Sequence, residues 1–241
     1  MKVKYFWLAA VLAAPLTANA ADDIDRLVSL VQGEFTGIAE DLGATLSYKP
    51  LTPAEPLGIT GFDIGLAATG TRLQHVAAFD RATSSSSDFP STAPAPSVRV
   101  HKGLPLNIDV GLMYSAIPDT NVRSWGGELR YAVVGGNVAL PAIGIRAAYT
   151  KLTGVDQLAF DTRSVDVSIS KGFAIFTPYA GFGRVWASAT PDASTGLTEV
   201  SPSLGKVFIG ANLNFGLLNL AFEADRTGDA DSYGVKVGFR L

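Results

Sequence analysis

The side chains able to do chemistry are few and scattered. The chain has two histidines, His75 and His101, and no cysteine, which removes thiolate nucleophiles, disulfides and any multi-histidine or thiolate metal centre. No HExxH pair and no GxSxG elbow occurs, and Gly205-Lys206 is followed by Val207 without the upstream glycine of a phosphate loop. His101 is a candidate base, yet spacing alone brings no serine nucleophile within reach of it. The chain is therefore not read as an enzyme, and no cofactor or metal is expected. What remains is a set of charges that share one phase of alternating segments. The acids are Asp63, Asp109, Glu128, Asp166, Glu223 and Asp225; the bases are Arg99, Arg130, Arg146, Lys236 and Arg240. Such charges either line a narrow aqueous pore and set its selectivity, or pair with each other in a closed interior, because unpaired buried charge is costly. The small bore of a ten-stranded barrel favours pairing. Arg184 shares a phase with Phe182 and Trp186, so its direction stays open.

The elements that position these charges are read from a period of two. Phe62 to Thr69, Leu106 to Tyr114, Glu128 to Val133, Ile143 to Thr150, Ser164 to Ser170, Ile209 to Phe215, Leu218 to Glu223 and Tyr233 to Leu241 all alternate apolar with small or polar residues. Two architectures give this pattern. A soluble sandwich turns the apolar face inward, and a transmembrane barrel turns it to lipid around a polar lumen. Polar phases rich in Gly, Ala, Ser and Asn, aromatics near strand ends (Phe62, Tyr114, Tyr149, Phe215, Tyr233, Phe239) and a final strand ending at Leu241 favour the barrel.

The links can be checked for parity. Short ones at Gly103–Pro105, Gly135–Pro141, Lys171–Pro178 and Gly216-Leu217 fall on one side. Those at His75–Pro96, Ala116–Asn121, Leu152–Gln157, Ala189–Ser201 and Thr227–Asp231 fall on the other, as short periplasmic turns and longer surface loops require. The result is an all-β, antiparallel transmembrane barrel of about ten strands over residues 43–241. Ala44–Tyr48 is an eleventh strand candidate, and a hairpin hidden in 70–95 would make twelve. Ser84–Ser87 and nearby prolines read as a mobile surface loop.

Ahead of the strands, residues 1–20 carry Lys2 and Lys4, an apolar stretch from Tyr5 to Leu16 and the small-x-small site Ala18-Asn19-Ala20. This is the pattern of a cleaved secretory signal peptide, which implies export. Residues 21–42 form an amphipathic helix, with Ile24, Leu27, Val28, Val31, Phe35, Ile38 and Leu42 on one face, a cap at Asp22 or Asp23 and a stop at Gly43. Packing on a protein surface is the favoured place for it, with a plug inside a pore or a membrane-surface helix as the alternatives, the latter disfavoured by a polar face with one base and several acids. In the 241 residues hydrophobic types make up 47% and charged types 17%, mean hydropathy is +0.25, and the net charge is −3 with a pI near 5.4. That balance excludes a basic nucleic-acid surface. No later apolar run reaches the ~20 residues of a transmembrane helix.

Lys102–Gly111 (KGLPLNIDVG), Gly127–Tyr131 (GELRY), Leu140–Leu158 (LPAIGIRAAYTKLTGVDQL) and Ser170–Trp186 (SKGFAIFTPYAGFGRVW) carry a resemblance to a family of uncharacterised proteobacterial outer-membrane barrel proteins. The resemblance implies an outer-membrane location in a Gram-negative cell and brings no substrate or catalytic residue. The partners expected are outer-membrane lipids, periplasmic chaperones and the barrel-assembly machinery, with a small solute as the ligand of an open lumen. The provisional activity is narrow passive transport, with a non-conducting structural or adhesive barrel as the alternative and a lipid- or peptide-modifying enzyme as a remoter one.

Overall fold

The structure, a computed structural model, describes residues 24–83, 88–117 and 120–241. The signal segment 1–20, the cap at Asp22 or Asp23 and the loop Ser84–Ser87 lie outside the described residues. Ten strands form the body: β1 (Phe62–Arg72), β2 (Thr92–Leu104), β3 (Ile108–Ala116), β4 (Arg123–Gly135), β5 (Ala142–Thr153), β6 (Leu158–Ser170), β7 (Phe176–Pro191), β8 (Ser203–Phe215), β9 (Leu218–Thr227) and β10 (Ala230–Arg240). Each pairs antiparallel with the next, and β1 pairs with β10 from Asp63↔Arg240 to Thr71↔Ser232, so the barrel is closed. The strands run from 9 to 16 residues. A tilted strand of about 9–11 residues crosses a bilayer's hydrocarbon core.

The direction of the alternation separates barrel from sandwich. Along β1, Asp63 is 0% exposed and Leu66 is 62% exposed. Ile64, Val100, Leu112, Leu129, Val165, Ile209 and Phe222 likewise face outward. The apolar phase is the outer one, the reverse of a soluble sandwich. Outward aromatics stand in two belts, with Tyr114, Trp125, Trp186 and Tyr233 toward one end and Tyr131, Phe176, Phe215 and Phe239 toward the other. We call these the loop end and the turn end. At the turn end the two termini of the sheet lock together, with reciprocal bonds between Phe62 and Leu241.

Several sequence expectations need correction. The N-terminal helix, α1, spans Gln32–Leu46 rather than 21–42. Its start is set by Glu34, whose carboxylate accepts from the Val31 amide at 3.2 Å. Before it, Leu27–Ser29 make one 3-10 turn, while Asp25 and Arg26 both donate to Ala82 O. The helix passes through Gly43 because that glycine lies against Leu204 and Ala187, where its lack of a side chain permits close packing. It ends where Ser47 Oγ bonds Ala44 O, ahead of Pro50. Ala44–Tyr48 is thus helix end and turn, not an eleventh strand. Residues 70–95 hold no extra hairpin among the described residues; a second helix, α2 (Val76–Ala82), fills that link instead. Pro94 and Pro96 lie inside β2 rather than in the link. Residues 92–96 pair only with β1, so one edge is free and a missing N–H is tolerated there.

The helix is not laid on an outer surface. Phe35, Ile38, Leu42 and Leu46 pack with Ile24, Leu27 and Phe79 and with Leu152, Leu158 and Phe160 from the loop ends of β5 and β6. This apolar core closes the loop end. Buried Asp41 accepts from the amides of Gln74 and His75 at 2.7 to 3.1 Å, fixing α1 to the start of α2.

At the turn end a Cβ on Gly103 would lie 1.9 Å from Gly58 O, whereas one on Gly205 meets nothing within 4 Å. Gly103→Val should therefore abolish the folded, heat-modifiable band in unboiled gel samples, and Gly205→Val should preserve it.

Candidate functional site: the barrel interior

The interior is built by the inward phase of the ten strands and by one segment that no strand contains. Beyond α1 the chain continues through Ser47–Ala54, every residue of which is buried, and emerges at the turn end, where Gly58 lies against Gly103. Residues 43–58 therefore run through the barrel from the loop end to the turn end. Pro50, Pro53 and Pro56 lower the number of amide donors that this stretch must satisfy.

The structure places all eleven charges named from the sequence on the inward phase. Ten are at most 7% exposed, and Arg240, at the turn-end rim, is 11% exposed in its side chain. They form two kinds of contact. The first is pairing across strands. Asp109, Arg130, Arg146 and Asp166 stand at one depth on β3, β4, β5 and β6, since Asp109↔Arg130, Arg130↔Arg146 and Arg146↔Asp166 are register partners. The two adjacent arginines turn away from each other to separate acids. Arg130 donates to Asp109 Oδ2 at 3.1 and 2.5 Å, and Arg146 donates to both Asp166 oxygens at 3.1 and 2.6 Å. Glu128 Oε2 lies 3.4 Å from Arg146. At the turn end Lys236 and Arg240 share Asp63 at 2.6 and 3.8 Å.

The second kind of contact holds the threaded segment. Arg99 donates to Lys49 O at 2.5 Å, and Arg130 Nη1 donates to Thr52 Oγ1 and Pro53 O at 3.0 and 2.5 Å. Glu223 accepts from the Leu51 amide at 2.9 Å and Asp109 from the Leu57 amide at 3.1 Å. Leu51 sits at φ 49°, in the left-handed region; bonding to Glu223 compensates a conformation that costs a non-glycine residue about 1–2 kcal/mol. Lys49 pairs with Asp225 at 2.8 Å.

Four contributors were missed in the sequence. Lys206 donates to Tyr48 O at 2.6 Å, and Tyr179 to Glu223 at 2.9 Å. Carrying the alternation of β8 back from Gly210 would have found Lys206. Lys49 and Tyr48 lie in a stretch without period, so no comparable signal exists for them. Arg184, left open by the sequence, faces outward and reaches Ser203 Oγ at 3.1 Å.

Tyr48 Oη, His101 Nε2 and Glu128 Oε1 follow one another at 3.2 and 3.4 Å. The order suits a proton relay, yet Tyr48 and His101 are each 1% exposed, so no substrate reaches them. Among the described residues no group of three or more His, Cys, Asp and Glu could hold a metal ion. The pockets beside α1 measure about 50 and 70 Å³, room for only a few waters.

An antiparallel barrel of ten strands, apolar outside and charged inside, defines the class. No family model matches the chain, and no curated protein matches it, so the resemblance carried by its sequence motifs stands at the level of architecture. Among solved structures it is similar to the N-terminal barrel domain of Pseudomonas aeruginosa OprF, with 13% identity, 74% of this chain and 97% of that one covered, and a TM-score of 0.39. It is similar to Ail, the attachment invasion locus protein of Yersinia pestis, with 13% identity, coverages of 75% and 97% and a TM-score of 0.35. The outer membrane protease OmpT of Escherichia coli gives 10% identity, coverages of 78% and 99% and a TM-score of 0.37. None of these likenesses bears on activity.

Removing Asp166 takes from buried Arg146 its two-pronged partner and leaves it Glu128 alone, at 3.4 Å. Asp166→Ala should lower the unfolding free energy by about 3–5 kcal/mol, measured by urea titration in micelles with tryptophan emission. Asp161, partly exposed and 3.8 Å from Arg163, is the control, and its alanine variant should lose less than about 1 kcal/mol.

Proposed function

We propose that the protein is an outer-membrane barrel of a Gram-negative cell, stoppered by its own chain and acting as a non-conducting surface platform. The outward apolar phase with its two aromatic belts supports a bilayer setting, and the leader-like pattern of residues 1–20 supports export. The observation that carries the closed state is the burial of the inward charges. A water-filled pore would leave such side chains accessible, whereas ten of the eleven are at most 7% exposed. The packed head of α1, α2 and the loop-end core is the part such a platform would present to the exterior. No catalytic role is assigned to any residue.

One observation favours a second reading, a gated pore for small solutes. The threaded segment is held largely by charged groups bonding its main chain, and its apolar contacts with the wall are few, Leu51 clustering with Ala67 and Ala221. Withdrawal of the segment would leave a lumen lined by charges of both signs, in which the row Asp109, Arg130, Arg146 and Asp166 would set selectivity.

Planar-bilayer recording separates the readings. The folded full-length protein should be silent, and a chain lacking residues 24–57 should give discrete conductance steps; steady current from the intact protein would overturn the closed reading. Orientation is open to a second measurement, because the chain has no cysteine of its own. Val28, 64% exposed at the loop end, and Ile59, 65% exposed at the turn end, are suitable single sites. A membrane-impermeant maleimide should label Val28→Cys on intact cells and Ile59→Cys only after the outer membrane is opened.

A further inference from the structure

The outer face carries bases as well as apolar residues, and their distribution is uneven. At the turn end, Lys102 donates to Ile59 O and Gly61 O, and Lys171 to the carbonyls of Asn137, Val138 and Leu140. These ammonium groups are satisfied by the protein. At the loop end, outward Lys151, Arg163 and Arg184 stand on the consecutive strands β5, β6 and β7. The Lys151 side chain makes no hydrogen bond or ion pair among the described residues. Arg163 is 75% exposed in its side chain and 3.8 Å from Asp161, while among the described residues Arg184 has only the Ser203 hydroxyl. Asp161 is the one acid on the outward phases of β4 to β7. Cationic side chains on a lipid-facing surface are costly except toward the interface, so three of them with so little internal compensation call for an anion from outside.

Register fixes their arrangement. Lys151 is opposite Asp161, Tyr149 opposite Arg163, Arg163 opposite Trp186 and Val165 opposite Arg184. Each base is a diagonal neighbour of the next, and two diagonal steps of about 7–8 Å spread the three over roughly 15 Å. Against them lies an apolar groove of about 760 Å³ whose lining includes Arg163. Gly127 and Ala147 form its floor, with Leu112, Leu129 and Val165 along it and Trp125, Tyr149 and Trp186 at its upper rim. Trp125 and Tyr149 pack at 5.7 Å.

We infer that this face of β4–β7 binds a phosphorylated glycolipid of the outer leaflet, a disaccharide bearing separated phosphates and several acyl chains. The inference rests on the outer-membrane reading above. The phosphates meet Lys151, Arg163 and Arg184 at the headgroup level, and an acyl chain lies along the groove over Gly127 and Ala147. Bases spread over three strands suit two separated phosphates better than the single phosphodiester of a glycerophospholipid. Arginine adds a planar fork that bonds phosphate oxygens in pairs.

Two of the chain's three tryptophans flank the groove, so their emission reports its occupancy. Diphosphoryl lipid A titrated into the folded protein in maltoside micelles should give a saturable change. Arg163→Glu with Arg184→Glu should weaken it at least about tenfold, as the loss of one charge-assisted contact requires. Gly127→Leu should weaken it too, since a Cβ there meets only Gly111 O and Leu112 Cδ2 at 3.5 Å and the larger side chain fills the groove without strain. Arg226→Glu, whose wild-type guanidinium pairs with Asp231 at 2.9 Å on another part of the wall, should leave binding unchanged. An equal response to phosphatidylglycerol, an unaltered response in the double variant, or no saturable response would overturn the site. Flotation with neutral phosphatidylcholine vesicles distinguishes the failures. A protein that inserts there without binding lipid A sinks the site alone; one that never inserts sinks the membrane reading as well.

Discussion

The main chain from Tyr48 to Ala54 is buried inside the barrel, and its amides and carbonyls must find their partners there. The charged residues of the wall meet that demand. Arg99, Arg130 and Lys206 supply donors to carbonyls, and Glu223 and Asp109 accept from amides. Arg130 and Asp109 also pair with each other, and the buried ion pairs further include Arg146 with Asp166, Lys236 with Asp63 and Lys49 with Asp225. Wall and segment thus complete each other. A wall of alanine would leave the segment's polar groups unmet, and an empty bore would take from Arg99 and Lys206 the main-chain carbonyls they bond.

Register keeps this arrangement consistent. A one-residue slip between strands turns every side chain to the opposite face, which would send Arg130 and Asp166 into the apolar band and Leu129 and Val165 into the lumen. The outward hydrophobic phase and the inward ion pairs therefore select the same pairing. Paired charges across the β3–β6 row fix depth as well as face, because Arg130 and Arg146 reach acids that are their register partners or the partners' neighbours.

Much of this was legible in the sequence. A period of two survives any ordering of neighbouring strands, so face and phase could be assigned residue by residue, and the hairpin parity followed from link lengths. The helix boundaries and the course of residues 47–58 were not legible. Three prolines and a left-handed leucine erase any period in that stretch. The partners that hold it are remote, Lys49 meeting Asp225 across 176 positions of sequence. The apolar spacing from Ile24 to Val31 mimicked a helix, but Val28 and Val31 are exposed while Ile24, Leu27 and Leu30 pack on the loop-end core. Period alone does not say which tertiary surface an apolar residue will find.

The path of the chain through its own barrel also bears on the order of assembly. Residues before Gly61 enter at the loop end, attached to a helix about 10–12 Å across, and leave at the turn end directly into β1. A closed, side-chain-filled cylinder offers no passage for that helix, and threading it lengthwise would require stripping the ion pairs that line the way. An open sheet has no such obstacle, since the segment can be laid sideways against the inner face of a curled β2–β10 array. The seam between β1 and β10 is then the final junction to form, drawn shut over the segment like the last stave of a cask. The chain's first strand and its last meet there, so closure waits until synthesis has delivered Leu241.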